Sequence, residues 1–122
     1  MIDISTDCFP CLLITTQLET NELIYSNHFA QDFLGILPDK SISLFDVVSK
    51  ATSIFFESYI SPMLLSHGEC KEIQITLIAS NGAKSPAVAN IASSGERIYW
   101  AIFLAEERDK FYLPETQIIT DA

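Results

Sequence analysis

At 122 residues, 48% hydrophobic and 19% charged, the chain has the size and balance of one folded domain around a single core. Its formal charge of −9, with seven scattered Lys and Arg, excludes a nucleic-acid backbone or an anionic membrane surface as a partner held by clustered cations. No apolar run approaches the ~20 residues of a membrane span, and Asp3 and Asp7 stand where an export signal needs a basic region, so a cytoplasmic domain without membrane insertion is expected.

Pro10 to Thr16 is a β-branched apolar run of strand length, Gln17 to Glu22 is a polar turn, and Leu23-Ile24-Tyr25-Ser26 is a second strand. Asn27 is placed to cap a short helix carrying Phe29 and Phe33 on one face, and Gly35 to end it. A loop containing Pro38 follows, then a short helix through Leu44, Phe45, Val47 and Val48 that Ser43 can cap. From Ser49 to Ser66 the pattern is helical, with Thr52, Phe55, Phe56, Tyr59, Ile60 and Met63 tracing one stripe and Pro62 expected to break or kink it. Three strands complete the chain: Glu69 to Ala79, Lys84 to Ser93 and Arg97 to Glu106, joined by turns at Asn81-Gly82 and Gly95-Glu96. Pro114 limits any helix starting at Arg108 to Tyr112.

This order resembles the PAS domain, over roughly Cys8 to Arg108. The pieces that carry the resemblance are Ile24-Tyr25-Ser26-Asn27-His28-Phe29-Ala30, then Phe33-Leu34-Gly35, the Ser80-Asn81-Gly82 turn, and Leu104-Ala105-Glu106-Glu107-Arg108 at the exit of the last strand. It implies an α+β fold in which a five-stranded antiparallel sheet, order 2-1-5-4-3, carries short helices on one face. Residues 1–8 are then a lead-in, 9–108 the domain and 109–122 a linker toward a C-terminal output domain. The resemblance also implies a non-enzymatic sensory or dimerisation module of bacterial signal transduction, attached to a histidine kinase or, most similarly, to cyclic-di-GMP enzymes. The flavin-adduct branch carries an Asn-Cys-Arg-Phe-Leu-Gln type motif that this chain lacks. For haem, His67 lies at a helix end and His28 at a helix start, positions unlike an axial ligand, so no cofactor is assigned.

Other chemistry is weak in the sequence. Cys8-Phe9-Pro10-Cys11 has dithiol spacing but leads into a strand rather than a helix whose N-terminus would stabilise a thiolate. Adding His67 and Cys70 gives four soft ligands, yet the implied strand order sets Cys11 and Cys70 roughly 14 Å apart at ~4.8 Å per strand, too far for one zinc. Carboxylate pairs such as Glu106-Glu107 and Glu69 with Glu72 read as solvated charge, and no nucleophile, base or phosphate-cradling loop is assembled.

Function is therefore expected from surfaces. Phe29, Phe33, Phe45, Phe55 and Tyr59 are candidates to wall a cavity for a small apolar or weakly polar ligand against Ile75, Leu77, Val88 and Asn90, although close packing favours a filled core. Counting back from a two-residue Asn81-Gly82 turn places Val88 and Asn90 on the same face as Ile75. The opposite parity, Ala87, Ala89 and Ile91 with Ile98, Trp100 and Ile102, is then the candidate outer face for homodimer contact, although the length of the second turn leaves the facing of the last strand open.

Overall fold

The computed structural model describes residues 10–37 and 39–105. Strands β1 (Leu12–Gln17), β2 (Leu23–Ser26), β3 (Glu69–Ile78), β4 (Lys84–Ser94) and β5 (Arg97–Leu104) form one antiparallel sheet in the order 2-1-5-4-3. Between β2 and β3 run α1 (His28–Leu34), a 3-10 turn (Leu44–Asp46), α2 (Lys50–Phe55), a π-helical turn (Phe56–Ile60) and α3 (Ser61–His67). Fold class, strand order and short helices agree with the sequence expectation. The lead-in with Cys8 and the exit with Glu106, Glu107, Arg108 and Pro114 lie outside the described residues, as does Pro38.

Caps set the helix boundaries. The Asn27 side chain accepts from Ala30 N at the start of α1, and Gly35 ends it at φ 70°. Ser43 and Asp46 form a reciprocal capping box on the 3-10 turn, which stops before Val47 and is shorter than the expected helix. Instead Val47 to Ser49 runs along the β3 edge: Ile78 N donates to Val47 O and Ser49 N to Thr76 O, both at 2.9 Å. The other sheet edge is covered likewise, with Leu23 N donating to Ile42 O at 2.8 Å. Covering edges removes sites of unwanted strand pairing.

Pro62 does not break the long helical region. Having no N–H, it cannot donate to the preceding turn, and the backbone ahead of it widens into the π turn, where Ser61 N donates to Phe56 O. The wider turn re-phases the buried side. Thr52, Phe56, Ile60 and Leu64, each four residues on from the last, are buried, a spacing that drifts around an uninterrupted α-helix. Of the expected stripe, Phe55 and Met63 are half-buried at its flank and Tyr59 is exposed.

Gly35 marks where α1 meets the β3–β4 turn. Ser80 N donates to Phe33 O at 2.8 Å, and a Cβ on Gly35 would lie 2.8 Å from Ser80 Cβ. Gly68 has a similar φ of 78° but nothing within 4 Å of such a Cβ. Gly35→Ala should therefore cost about 2–3 kcal/mol and Gly68→Ala only about 1 kcal/mol, the share due to left-handed backbone strain. Urea midpoints at unchanged m-value measure both. Equal losses would remove the Ser80 contact as a cause.

Candidate functional site

The two faces of the sheet differ in what covers them. On the helix side, Leu12, Ile14, Ala87, Ala89, Ile91, Ile98, Trp100 and Ile102 are buried among Leu44, Phe56, Ile60 and Leu64. Trp100 stacks on Phe56 with ring centres 5.7 Å apart, Phe45 meets Phe56 edge-on at 6.0 Å, and Trp100 Nε1 donates to buried Thr16 Oγ1 at 3.0 Å. Ile75 and Leu77 lie in this core, with Phe29, Phe33, Phe45 and Phe55 packed against it, so most of the cavity candidates do gather on the helix side.

Two groups are on the opposite faces from those expected. Ala87, Ala89, Ile91, Ile98, Trp100 and Ile102 do share one face, but it is the helix-covered one. Val88 and Asn90 point the other way; Asn90 is exposed. The cause is the hairpin. Gly82 N donates to Ala79 O and Ala79 N to Ala83 O, giving a three-residue loop, Ser80-Asn81-Gly82, with Gly82 at φ 86°. Ile75 therefore pairs with Ala87 rather than Val88, and a one-residue shift in register turns every side chain of β4 over. The next turn, Gly95-Glu96, carries the same parity into β5, pairing Ile91 with Trp100.

Asn90 has a local role there. Lys71 and Glu72 together oppose it in a β-bulge between the Cys70–Ile91 and Ile73–Ala89 pairs. Glu72 sits at φ 55°, and its N–H donates to Asn90 Oδ1 at 2.9 Å. No periodicity marks this bulge, since Glu72 is a residue type seldom found at positive φ.

The outer face holds a trough of about 520 Å³ crossing β1, β5 and β4. Leu13, Ala92 and Ala101 give it a low apolar floor, and Tyr25 and Tyr99, both paired with Thr15 from either side, supply aromatic rings. Tyr25, Tyr99 and nearby Phe103 are 43%, 45% and 39% exposed. Glu69 and Lys71 border it, 3.7 Å apart. The sequence signal for this surface was the second apolar parity of β5, Tyr99, Ala101 and Phe103. A second hollow, of about 440 Å³, opens where α2 meets the ends of β3, β4 and β5.

The thiols are poor reagents. Burial pushes the Cys11 thiol up, and burial together with the Glu69 carboxylate pushes Cys70 up, so both hold their protons at neutral pH. They are free cysteines, with strands β5 and β4 between β1 and β3. Among the described residues no group of three His, Cys, Asp or Glu is placed to hold a metal, and no helix is long and apolar enough to cross a membrane.

No protein-family model matches the chain, and neither does a curated protein sequence. Solved structures do. The PAS domain of the Cronobacter turicensis RpfR quorum-sensing receptor in complex with BDSF superposes with a TM-score of 0.67 at 7% identity, over 86% of this chain and 99% of that one. The same domain in complex with C12:0 gives 0.68 at 6% identity, over 86% and 99%. A PAS domain from Desulfitobacterium hafniense gives 0.60 at 16% identity, over 79% and 92%. At these identities the likeness shows the fold, and the fold is that of PAS domains.

Proposed function

We propose that this PAS-fold domain is a non-enzymatic signalling module that self-associates through the outer face of its sheet and relays its state along β5 to a C-terminal output domain. The carrying observation is the contrast between the faces. The helix side is filled by Trp100, Phe56, Ile60, Leu12 and Ile102, all at or below 3% exposure, whereas the outer side presents Tyr25, Tyr99 and Phe103 around an apolar trough. A continuous apolar patch of this kind marks an interaction surface. A two-fold axis through it would pair the patch with itself, and the rim carries few charges to oppose such contact. The dimer interface is therefore assigned to Leu13, Ala92, Tyr99, Ala101 and Phe103 in place of the opposite parity. Signalling follows as a population shift, in which association favours one packing of helices on sheet.

A second reading rests on the RpfR PAS domain, seen in complex with BDSF and with C12:0. Under it, this domain senses a small apolar molecule held between its helices and the sheet, against Phe29, Phe33, Phe45, Ile75 and Leu77. The two readings separate in native mass spectrometry of the purified chain.

Sedimentation equilibrium tests the first. The wild-type chain should dimerise, and Tyr99→Glu should weaken the dimer at least about a hundredfold, because an unpaired charge buried in an apolar contact costs roughly 3 kcal/mol. A chain that stays monomeric into the millimolar range, or a dimer indifferent to Tyr99→Glu and Ala92→Glu, overturns the outer-face assignment. A mass increment carried through purification supports the sensor reading instead.

A further inference from the structure

On the outer face of the sheet the side chains stand in rows that cross the strands. Glu69, Ala92, Tyr99, Thr15 and Tyr25 form one row, each paired with the next from β3 through β4, β5 and β1 to β2. The neighbouring row, about 7 Å away along the strands, runs Lys71, Asn90, Ala101 and Leu13, with Lys71 brought opposite Asn90 by the bulge. The first row is tall at its centre, where Tyr99 is exposed, and the second is low there, at Ala101. At the β3 end the first row carries a carboxylate and the second an ammonium, 3.7 Å apart and both exposed.

On the reading that this face self-associates, a two-fold axis in the plane of contact has two natural directions. Along β5, it would set β3 of one copy over β2 of the other, and Glu69 would leave water against the Tyr25 ring with no cation to meet it. Burying an unpaired charge is costly. Across the strands, each strand faces its own copy and only the rows exchange. An axis on the Glu69 row opposes Glu69 to Glu69 and Tyr99 to Tyr99, whereas an axis between the two rows opposes each Glu69 to Lys71 of the second copy and each Tyr99 to Ala101. Packed sheets lie about 10 Å apart, a gap that a tyrosine over an alanine fills and two facing tyrosines overfill. The exposed ion pair, worth little while water screens it, then joins an alternating set of four charges.

The geometry points to a face-to-face dimer with antiparallel strands, its two-fold axis lying between the Glu69 and Lys71 rows, held in register by reciprocal Glu69–Lys71 ion pairs between copies. The same register brings Phe103 of one copy toward Arg97 of the other, an aromatic ring for a guanidinium. Partner choice follows from the charge order. A chain with like charges at these positions meets repulsion where a second copy of this one meets attraction.

Sedimentation equilibrium of the whole chain at fixed ionic strength tests this with Glu69→Lys, Lys71→Glu and the two changes together. Glu69→Lys reduces the net charge of a chain that carries −9, so long-range repulsion alone calls for a tighter dimer. The reciprocal pairs call for the opposite, a dimer at least about tenfold weaker, because lysines then face lysines. Lys71→Glu should weaken self-association by a similar factor. An equimolar mixture of the two variants should form a heterodimer at least about tenfold tighter than either homodimer, and the chain with both changes should return to within about threefold of the wild type. Both side chains are exposed, so circular dichroism of each variant should match the wild type, and recovery in the mixture excludes misfolding as the cause of weakening. A Glu69→Lys dimer as tight as the wild type, or a mixture without preference for the heterodimer, overturns the register. If Tyr99→Glu still weakens that dimer, the outer-face assignment stands without it. A wild-type chain that stays monomeric overturns both.

Discussion

Trp100→Ala should lower the stability of the domain by about 3–5 kcal/mol, the range for truncating a large buried aromatic, against a total of roughly 5–15 kcal/mol for a domain of ordinary stability. The indole is 3% exposed, stacks on Phe56 and donates to Thr16 Oγ1, so the substitution leaves a cavity and an unpaired buried hydroxyl together. Trp100→Phe keeps a ring against Phe56 and loses the donor, and should cost only about 1–2 kcal/mol. Because Trp100 is the single tryptophan of the chain, unfolding must be followed by circular dichroism in these variants. In the wild type the same residue reports on the facing of the sheet. Its emission should be shielded from acrylamide and unchanged on dilution. A loss below about 1 kcal/mol in Trp100→Ala, or emission that shifts with dilution, would put the indole on the outer face after all.

That test bears on the part of the structure the sequence left hardest to read. Helix boundaries were legible because single residues set them: Asn27, Ser43 and Ser49 each accept a backbone N–H at a helix start, and Gly35 ends α1 in the left-handed conformation. β2 matched residue for residue, since its apolar run is bounded by Asn21 and Asn27. The strand order came from the resemblance to PAS domains rather than from any pairing signal in the chain. Sheet facing depends on whether the loop after β3 holds two residues or three. Ser80-Asn81-Gly82 fits both readings, because Asn and Gly suit either turn, and the choice decides whether Val88 or Ala87 faces the helices. Alternation could not arbitrate, since β5 is apolar on both sides and β4 is built of small residues on both. The π turn was hidden for a different reason: Pro62 announces a missing hydrogen bond but not how the backbone absorbs it. Of the cavity candidates, Phe29, Phe33, Phe45, Phe55, Ile75 and Leu77 lie on the helix side while Tyr59 is exposed; in the trough, Tyr99 and Ala101 were visible as the unused parity of β5.

Asn27 gathers several buried polar contacts on one side chain, and Asn27→Ala should cost about 3 kcal/mol. At 1% exposure its Oδ1 accepts from Ala30 N at 3.0 Å and from Leu13 N at 3.1 Å, while Nδ2 donates to Cys11 O at 3.0 Å. Alanine removes the cap of α1, worth about 1 kcal/mol, and strands backbone groups of Leu13 and Cys11 at the start of β1, each adding about 1 kcal/mol or more. For a domain of this size the melting temperature should fall by on the order of 15 °C. Asn27→Asp separates the two roles of the amide. Its carboxylate still accepts from Ala30 and Leu13 but sets an oxygen against Cys11 O, where the amide had a donor, so at neutral pH it should cost about 2 kcal/mol. Once the acid is protonated it can donate to Cys11 O, so the deficit of this variant relative to wild type should shrink as pH falls. Parallel urea titrations of wild type, Asn27→Ala and Asn27→Asp from pH 7 to pH 4 read this directly. A deficit for Asn27→Asp that stays constant or grows toward acid would show that the Cys11 carbonyl finds another donor, and that the side chain acts on α1 alone. The expected result instead makes Asn27 the joint between layers: it caps the first helix while fixing Leu13, whose side chain floors the outer trough, so the helix side and the outer face are tied through one amide.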